Sequence, residues 1–211
     1  MMRTRIKFCG ITRAVDLEAA AASGADAVGF VCYERSPRYV SLPQLRELAR
    51  ALPPFLQPVL LFVNAPPTQV TAALELVPQA LLQFHGDEDP EACARHGRPF
   101  IRAVRMRDGV DLLDCERRYA HACALLADAP TPGYGGSGAS FEWSRLPPPS
   151  VRRKALVLAG GLTPENVGAA IGLVRPYAVD VSSGIEDGPG VKSAAKMRRF
   201  VAAVRATDAI Q

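Results

Sequence analysis

Strand-length apolar runs alternate with amphipathic stretches along the whole chain, and no other feature limits the possible folds as strongly. The expected strands cover residues 5–11, 26–32, 57–63, 80–84, 100–104, 122–127, 155–159 and 178–182. Helical patterns lie between them at 15–23, 42–52, 67–77, 90–96 and 109–119. Further helices are expected from Thr163-Pro-Glu-Asn166 and from near Lys192. The strand runs are continuously apolar rather than alternating in polarity, the pattern of parallel strands buried on both faces and covered by helices. Eight such units either close into a barrel or form an open, doubly wound sheet. The sixth crossover has the weakest helix signal, because Phe141-Glu-Trp-Ser-Arg-Leu146 runs into Pro147-Pro-Pro149, and proline cannot continue a helix.

The last two strands favour the barrel. Ala155-Leu-Val-Leu-Ala159 runs into Gly160-Gly161, and Ala178-Val-Asp-Val-Ser182 runs towards Gly184. Glycine lets backbone N–H groups approach an anion closely, and a following helix adds a favourable dipole. Two such turns at the ends of consecutive strands match the phosphate cradle after strands seven and eight of a (β/α)8 barrel. The expected fold is α/β, a single (β/α)8 TIM barrel over residues 1–211. At 211 residues it must have short loops, since such barrels usually run to about 250.

Composition narrows the class of ligand. The chain is 48% hydrophobic and 22% charged, with a formal charge of +4 carried mainly by scattered arginines. A mild positive excess suits a small anionic substrate, whereas nucleic acid would call for a basic stripe or aromatic platforms, which the sequence lacks. No membrane partner is expected, because no run reaches spanning length and the first residues lead directly into a strand. Five cysteines, at 9, 32, 93, 115 and 123, form no CxxC pair, which fits a reducing, cytoplasmic setting. Histidines 85, 96 and 121 show no helical pairing, so no metal site is expected. Oligomeric state is left open, a monomer being compatible.

In a barrel the reactive groups belong at the C-terminal strand ends. Strand one ends in Lys7-Phe8-Cys9-Gly10, which puts a thiol at the mouth, although cysteine also serves as a small buried hydrophobe. Strand six leads into Asp128, a carboxylate that is costly there unless it caps the next loop or does chemistry. The loop Tyr134-Gly135-Gly136-Ser137-Gly138 is dense enough in glycine for backbone to approach a ligand.

These residues resemble the phosphoribosylanthranilate isomerase family of tryptophan biosynthesis. The resemblance runs through Lys7-Phe-Cys-Gly-Ile-Thr12, Ser36-Pro-Arg-Tyr-Val-Ser41, Gln83-Phe-His-Gly86, Asp128 with Tyr134-Gly-Gly-Ser-Gly138, Phe141-Glu-Trp143, Leu158-Ala-Gly-Gly-Leu162 and Asp180-Val-Ser-Ser-Gly-Ile-Glu186. Ser137, Glu142 and Cys32 depart from residues common in the family, and none of these changes removes a reactive group.

The resemblance implies a cofactor-free Amadori rearrangement of a phosphosugar, N-(5-phosphoribosyl)anthranilate, with Asp128 as general acid and Cys9, as thiolate, as general base. It implies that Arg38 meets the anthranilate carboxylate through its forked donors. The phosphate falls to the amides of Gly160, Gly161, Ser183 and Gly184. Asp180 is expected to hold ribose hydroxyls, Lys7 to place positive charge near the thiolate, and Gln83 and His85 to lie at the substrate or just behind it. Two other readings are a different phosphosugar barrel enzyme, which would present a glutamate or paired aspartates, and a non-catalytic sensor, which would lack an acid or a base.

Overall fold

The computed structural model describes residues 3–130 and 141–210. Eight parallel strands close into a barrel in sequence order: β1 (Arg5–Cys9), β2 (Ala27–Val31), β3 (Gln57–Phe62), β4 (Leu81–Phe84), β5 (Phe100–Arg105), β6 (Ala124–Asp128), β7 (Ala155–Leu158) and β8 (Ala178–Val181). β8 pairs with β1 in a register that sets Lys7 opposite Asp180 and Phe8 opposite Val181. That closure decides between the two arrangements left open by the alternation of elements. The helices are α1 (Ala14–Ser23), α2 (Leu42–Arg50), α3 (Pro67–Leu76), α4 (Pro90–Ala94), α5 (Leu112–Arg118), α6 (Val167–Val174) and α7 (Ala194–Asp208). None of the described helices is long and apolar enough to cross a membrane.

Local chemistry explains the helix limits. Ser41 and Gln44 form a reciprocal capping box at the start of α2, and Gly24 ends α1 in the left-handed conformation at φ 86°. Three elements differ from expectation. The described part of the sixth crossover has only two 3-10 turns, Trp143–Arg145 and Pro149–Val151, because its prolines remove the donors a longer helix needs. α6 starts after Asn166, since Thr163-Pro-Glu-Asn forms the turn leading into it. Lys192 starts no helix. It lies on β10 (Val191–Lys192), which pairs antiparallel with β9 (Glu186–Gly188), and α7 begins only at Ala194.

Strand parity sorts the side chains into two layers. Outward residues such as Phe8, Phe30, Phe62, Leu82, Leu125, Leu158 and Val179 join the main core under the helices. The inward set is smaller in side-chain volume: Ile101, Ala103, Ala124, Leu126, Val157, Ala159 and Ala178 fill the lower barrel. Above them sits a separate cluster of Cys9, Val31, Leu61 and Val63.

The main core should be the energetic centre of the fold. Phe200 of α7 is fully buried and meets the Phe8 ring edge-on, with centroids 6.0 Å apart. Phe200→Ala is expected to lower unfolding free energy by about 3–5 kcal/mol in urea denaturation.

Candidate active site

Inward parity on four strands sends six polar side chains into one chamber: Lys7 and Cys9 from β1, Gln83 and His85 from β4 and its end, Asp128 from β6, and Asp180 from β8. All six are buried. Room for the β1 pair comes from β2, where a Cβ on Gly29 would lie 2.8 Å from Cys9 Sγ and 3.2 Å from Lys7 Nζ. Any larger residue at that position would displace both groups.

Lys7 Nζ donates to Asp180 Oδ1 at 2.8 Å, joining the register partners of the closing strand pair. Burial opposes the Lys7 charge, but Asp180 and then Cys9 outweigh it and hold the ammonium pKa above its ordinary value. The thiol is less favoured. Burial pushes the Cys9 thiol up, Lys7 and Lys192 pull it down, Asp180 adds to the rise, and the balance lies above the ordinary value. The expected benefit from Lys7 is therefore present but divided, because Asp180 opposes it at the thiol.

Across the barrel His85 Nε2 lies 3.1 Å from Asp128 Oδ2, and Gln83 Nε2 lies 3.4 Å from His85 Nδ1. With the Gln83 amide donating to Nδ1, the proton belongs on Nε2 and is donated to Asp128. The other carboxyl oxygen, Oδ1, accepts from the Ala129 amide at 2.9 Å. Gln83 and His85 thus reach Asp128 in series.

Arg38, on the segment after β2, reaches the same mouth with its stem over Gly10, whose φ of 77° and lack of a side chain leave space for it. Arg38 Nε and Nη2 donate to Glu186 Oε1 and Oε2 at 2.8 and 2.7 Å. The family resemblance gives this guanidinium to a substrate carboxylate, and in the structure one edge of its fork is held by Glu186. Nη1 donates to no acceptor among the described residues. Lys192 Nζ adds a third donor to Glu186, 2.7 Å from Oε1.

The two glycine turns pack near one another. Gly160 and Gly161 have φ of 82° and 65°, and a Cβ on Gly160 would lie 2.6 Å from the Ala129 nitrogen. A Cβ on Gly184 would collide with the Leu162 carbonyl oxygen. Asn166 pins the first turn, accepting from Thr163 N and donating to Gly161 O, both at 2.8 Å. Among the described residues, none of the amides of Gly160, Gly161, Ser183 and Gly184 donates to a protein acceptor. Four such N–H groups on adjoining turns are available to an anion.

The sequence reading did not single out Glu186, Lys192, Gly29, Asn166 or Ser182. Glu186 closes a quoted motif, but nothing local indicates that it faces Arg38, 148 residues away in sequence. The loop Tyr134-Gly-Gly-Ser-Gly138 lies outside the described residues. No cluster of three or more His, Cys, Asp or Glu side chains that could hold a metal occurs among the described residues.

Residues 6–203 match the family described as N-(5'phosphoribosyl)anthranilate (PRA) isomerase. The chain belongs to that family. N-(5'-phosphoribosyl)anthranilate isomerase of Leptothrix cholodnii is 55% identical over 207 residues, covering 98% of this chain and 93% of that one. The phosphoribosyl anthranilate isomerase structure from Thermotoga maritima has a TM-score of 0.83 at 40% identity, covering 96% of this chain and 99% of its own. Another structure of a phosphoribosyl anthranilate isomerase holds reduced 1-(o-carboxyphenylamino)-1-deoxyribulose 5-phosphate. Its TM-score is 0.80 at 36% identity, with 96% and 99% of the two chains covered. None of the departures from the isomerase family noted above falls at one of the six inward polar positions.

Glu186 gives this site a pH signature. Burial alone would raise its carboxyl pKa, but the hydrogen bonds from Arg38 and Lys192 hold it below the ordinary value. A depressed folded-state pKa adds stability above the unfolded value, and that contribution is lost as pH falls through the folded one. The difference in unfolding free energy between the native protein and Glu186→Gln should therefore be constant at neutral pH and shrink below about pH 4.3. Urea titrations at a series of pH values test this.

Proposed function

We propose that the chain catalyses the Amadori rearrangement of N-(5'-phosphoribosyl)anthranilate to 1-(2-carboxyphenylamino)-1-deoxyribulose 5-phosphate in tryptophan biosynthesis, with Asp128 as general acid and Cys9 as general base. The observation that carries the reading is the convergence of a strand-one thiol and a strand-six carboxyl inside one barrel, between an arginine fork and two anion-ready turns. Another phosphosugar enzyme would place different acids at these strand ends, and a sensor would need neither group.

The chemistry follows from those positions. Asp128 delivers a proton to the furanose ring oxygen, the C1–O bond breaks, and the nitrogen lone pair forms the protonated Schiff base. Cys9, as thiolate, removes the C2 proton, and its electrons pass through C1 to neutralise the nitrogen. The resulting enol then gains a proton at C1 and loses one from its C2 hydroxyl, giving the aminoketose. Reactant and product are isomers with no net oxidation, so no cofactor is assigned. His85, steadied by Gln83, holds Asp128 in position, and His85 and Gln83 are assigned to the wall of the substrate chamber. Arg38 Nη1 is assigned to the anthranilate carboxylate, with Glu186 fixing the plane of the fork. The amides of Gly160, Gly161, Ser183 and Gly184 are assigned to the phosphate, and Asp180, paired with Lys7, to ribose hydroxyls. The phosphosugar ligand held by one family structure supports a phosphosugar as substrate. Every assigned group comes from one chain, so a monomeric barrel spanning 1–211 suffices, and its five free thiols fit the cytoplasm.

Turnover is tested by adding freshly generated phosphoribosylanthranilate and following loss of its fluorescence, with an indole-glycerol-phosphate synthase removing product. Activity should be unchanged by EDTA. Cys9→Ser is expected to lower kcat by about 10²-fold or more, because a hydroxyl supplies almost no anion at neutral pH. Asp128→Asn, which cannot deliver a proton, should cost at least as much while the variant still binds substrate. Near-native kcat in either variant removes that residue from its role.

Gly184→Ala separates phosphate binding from chemistry. Its Cβ would force the second turn away from Leu162, so KM is expected to rise several-fold with a smaller change in kcat. A fall in kcat with unchanged KM argues against the phosphate assignment.

A further inference from the structure

Lys192 has no part in the roles above, yet it is the most enclosed of the three cations at the mouth: its side chain has 0% exposure, against 5% for Lys7 and 10% for Arg38. Its Nζ meets Glu186 Oε1 at 2.7 Å, the Ser182 carbonyl oxygen at 3.1 Å and Ser182 Oγ at 3.2 Å. Ser182 Oγ in turn donates to the Cys9 carbonyl oxygen at 3.0 Å. One ammonium therefore touches the residue that opens the second phosphate turn, and it reaches the backbone of the proposed base through a single hydroxyl.

The charges around Cys9 do not cancel. Lys7 of β1 is matched by Asp180 of β8. Arg38 occupies both oxygens of Glu186, from β9, and Lys192, from β10, shares that same single negative charge. His85, just after β4, and Asp128 of β6 bond to each other, Arg13, just before α1, and Asp16 of α1 meet the Lys192 backbone as a further matched pair, and the Tyr33 side chain packs against the Cys9 cluster. Three cations face two carboxylates on the Cys9 side, which leaves one positive charge in excess, and an anion nearby is stabilised by it. Lys7 acts on the thiol more strongly than Lys192 does and also hydrogen-bonds it, but its partner Asp180 acts with the opposite sign and offsets part of that effect, whereas Lys192 brings no carboxylate of its own.

We propose that Lys192 is a positioning residue for the rearrangement: its buried ammonium supplies the excess charge that favours the Cys9 thiolate, and through Ser182 it fixes the end of β1 against the phosphate turn. The inference rests on the reading of Cys9 as the base. It assigns to a residue of the β9–β10 hairpin the electrostatic task that sequence proximity would give to Lys7.

The test follows Cys9 itself, by iodoacetamide alkylation across pH with the modified peptide identified by mass spectrometry. Lys192→Gln keeps a donor for Ser182 and Glu186 but removes the charge, Lys192→Met removes both, and Lys192→Arg restores the charge. Both neutral variants are expected to slow Cys9 alkylation about tenfold at neutral pH, the low end of what one adjacent charge does to a thiol, with recovery in Lys192→Arg. The rising limb of the kcat/KM pH profile should move to higher pH in parallel. Wild-type alkylation in Lys192→Gln overturns the proposal. A second arm leaves Lys192 untouched: Lys7→Met/Asp180→Asn removes a matched pair and should change Cys9 alkylation by only about twofold, because the two charges act on the thiol with opposite signs. A tenfold loss there assigns the task to Lys7 and overturns the proposal even if the Lys192 variants fail to fold. Alkylation needs no substrate, so failure of this inference is distinct from failure of the isomerase reading, which a fully active Cys9→Ser would reveal.

Discussion

The closing contact between β8 and β1 is the constraint on which the rest depends. A sheet that closes on itself leaves no unpaired edge, so every strand's backbone donors and acceptors are used within the barrel. Closure also sets parity. Once Phe8 and Val181 are fixed outward in register, Lys7 and Asp180 must both point inward, one directly opposite the other. The same alternation on β4 and β6 sends Gln83, His85 and Asp128 into the chamber that holds Cys9. The outward layer of large apolar side chains is what makes this arrangement stable. It carries the buried phenylalanines, whereas the interior of the lower barrel is lined with alanine and a few branched residues.

Against that apolar background the buried charges are costly, and each of them is partnered. Removing an ion from water costs several kcal/mol unless other groups replace the solvent, so buried pairs are weak evidence for stability and better evidence of a task. Lys7 with Asp180, Arg38 with Glu186 and Lys192, and Asp128 with His85 are three separate solutions within one mouth. Their common effect is rigidity. A guanidinium held along one edge, a carboxyl held at both oxygens and an ammonium held by three acceptors lose little further entropy when a substrate arrives, and this preorganisation makes oriented groups effective.

The two ends of the site use different physics. At the end proposed for the phosphate the candidate donors are backbone amides on turns where glycine permits left-handed conformations and close packing of turn against turn. At the end proposed for the carboxylate the candidate donor is a side chain whose geometry depends on a distant hairpin. The β9–β10 hairpin was not anticipated at all, since two- and three-residue strands carry almost no periodicity.

Much of this was legible in the chain itself. Eight continuous apolar runs specify buried parallel strands, because only such strands need no polar face, and glycine after strands seven and eight marks where backbone can approach an anion. Cys9 and Asp128 stand out locally as reactive groups at the ends of apolar runs, and the ordered motifs around them identify the family. The pairing of charges could not be read this way. Arg38 and Glu186 are 148 residues apart, Lys7 and Asp180 are 173 apart, and Lys192 lies where a helix start was expected. Sequence determines which residues are apolar, bendable or ionisable through local chemistry. Which ion neutralises which is decided only when the barrel closes, because electrostatic energy depends on distance through space and not along the chain.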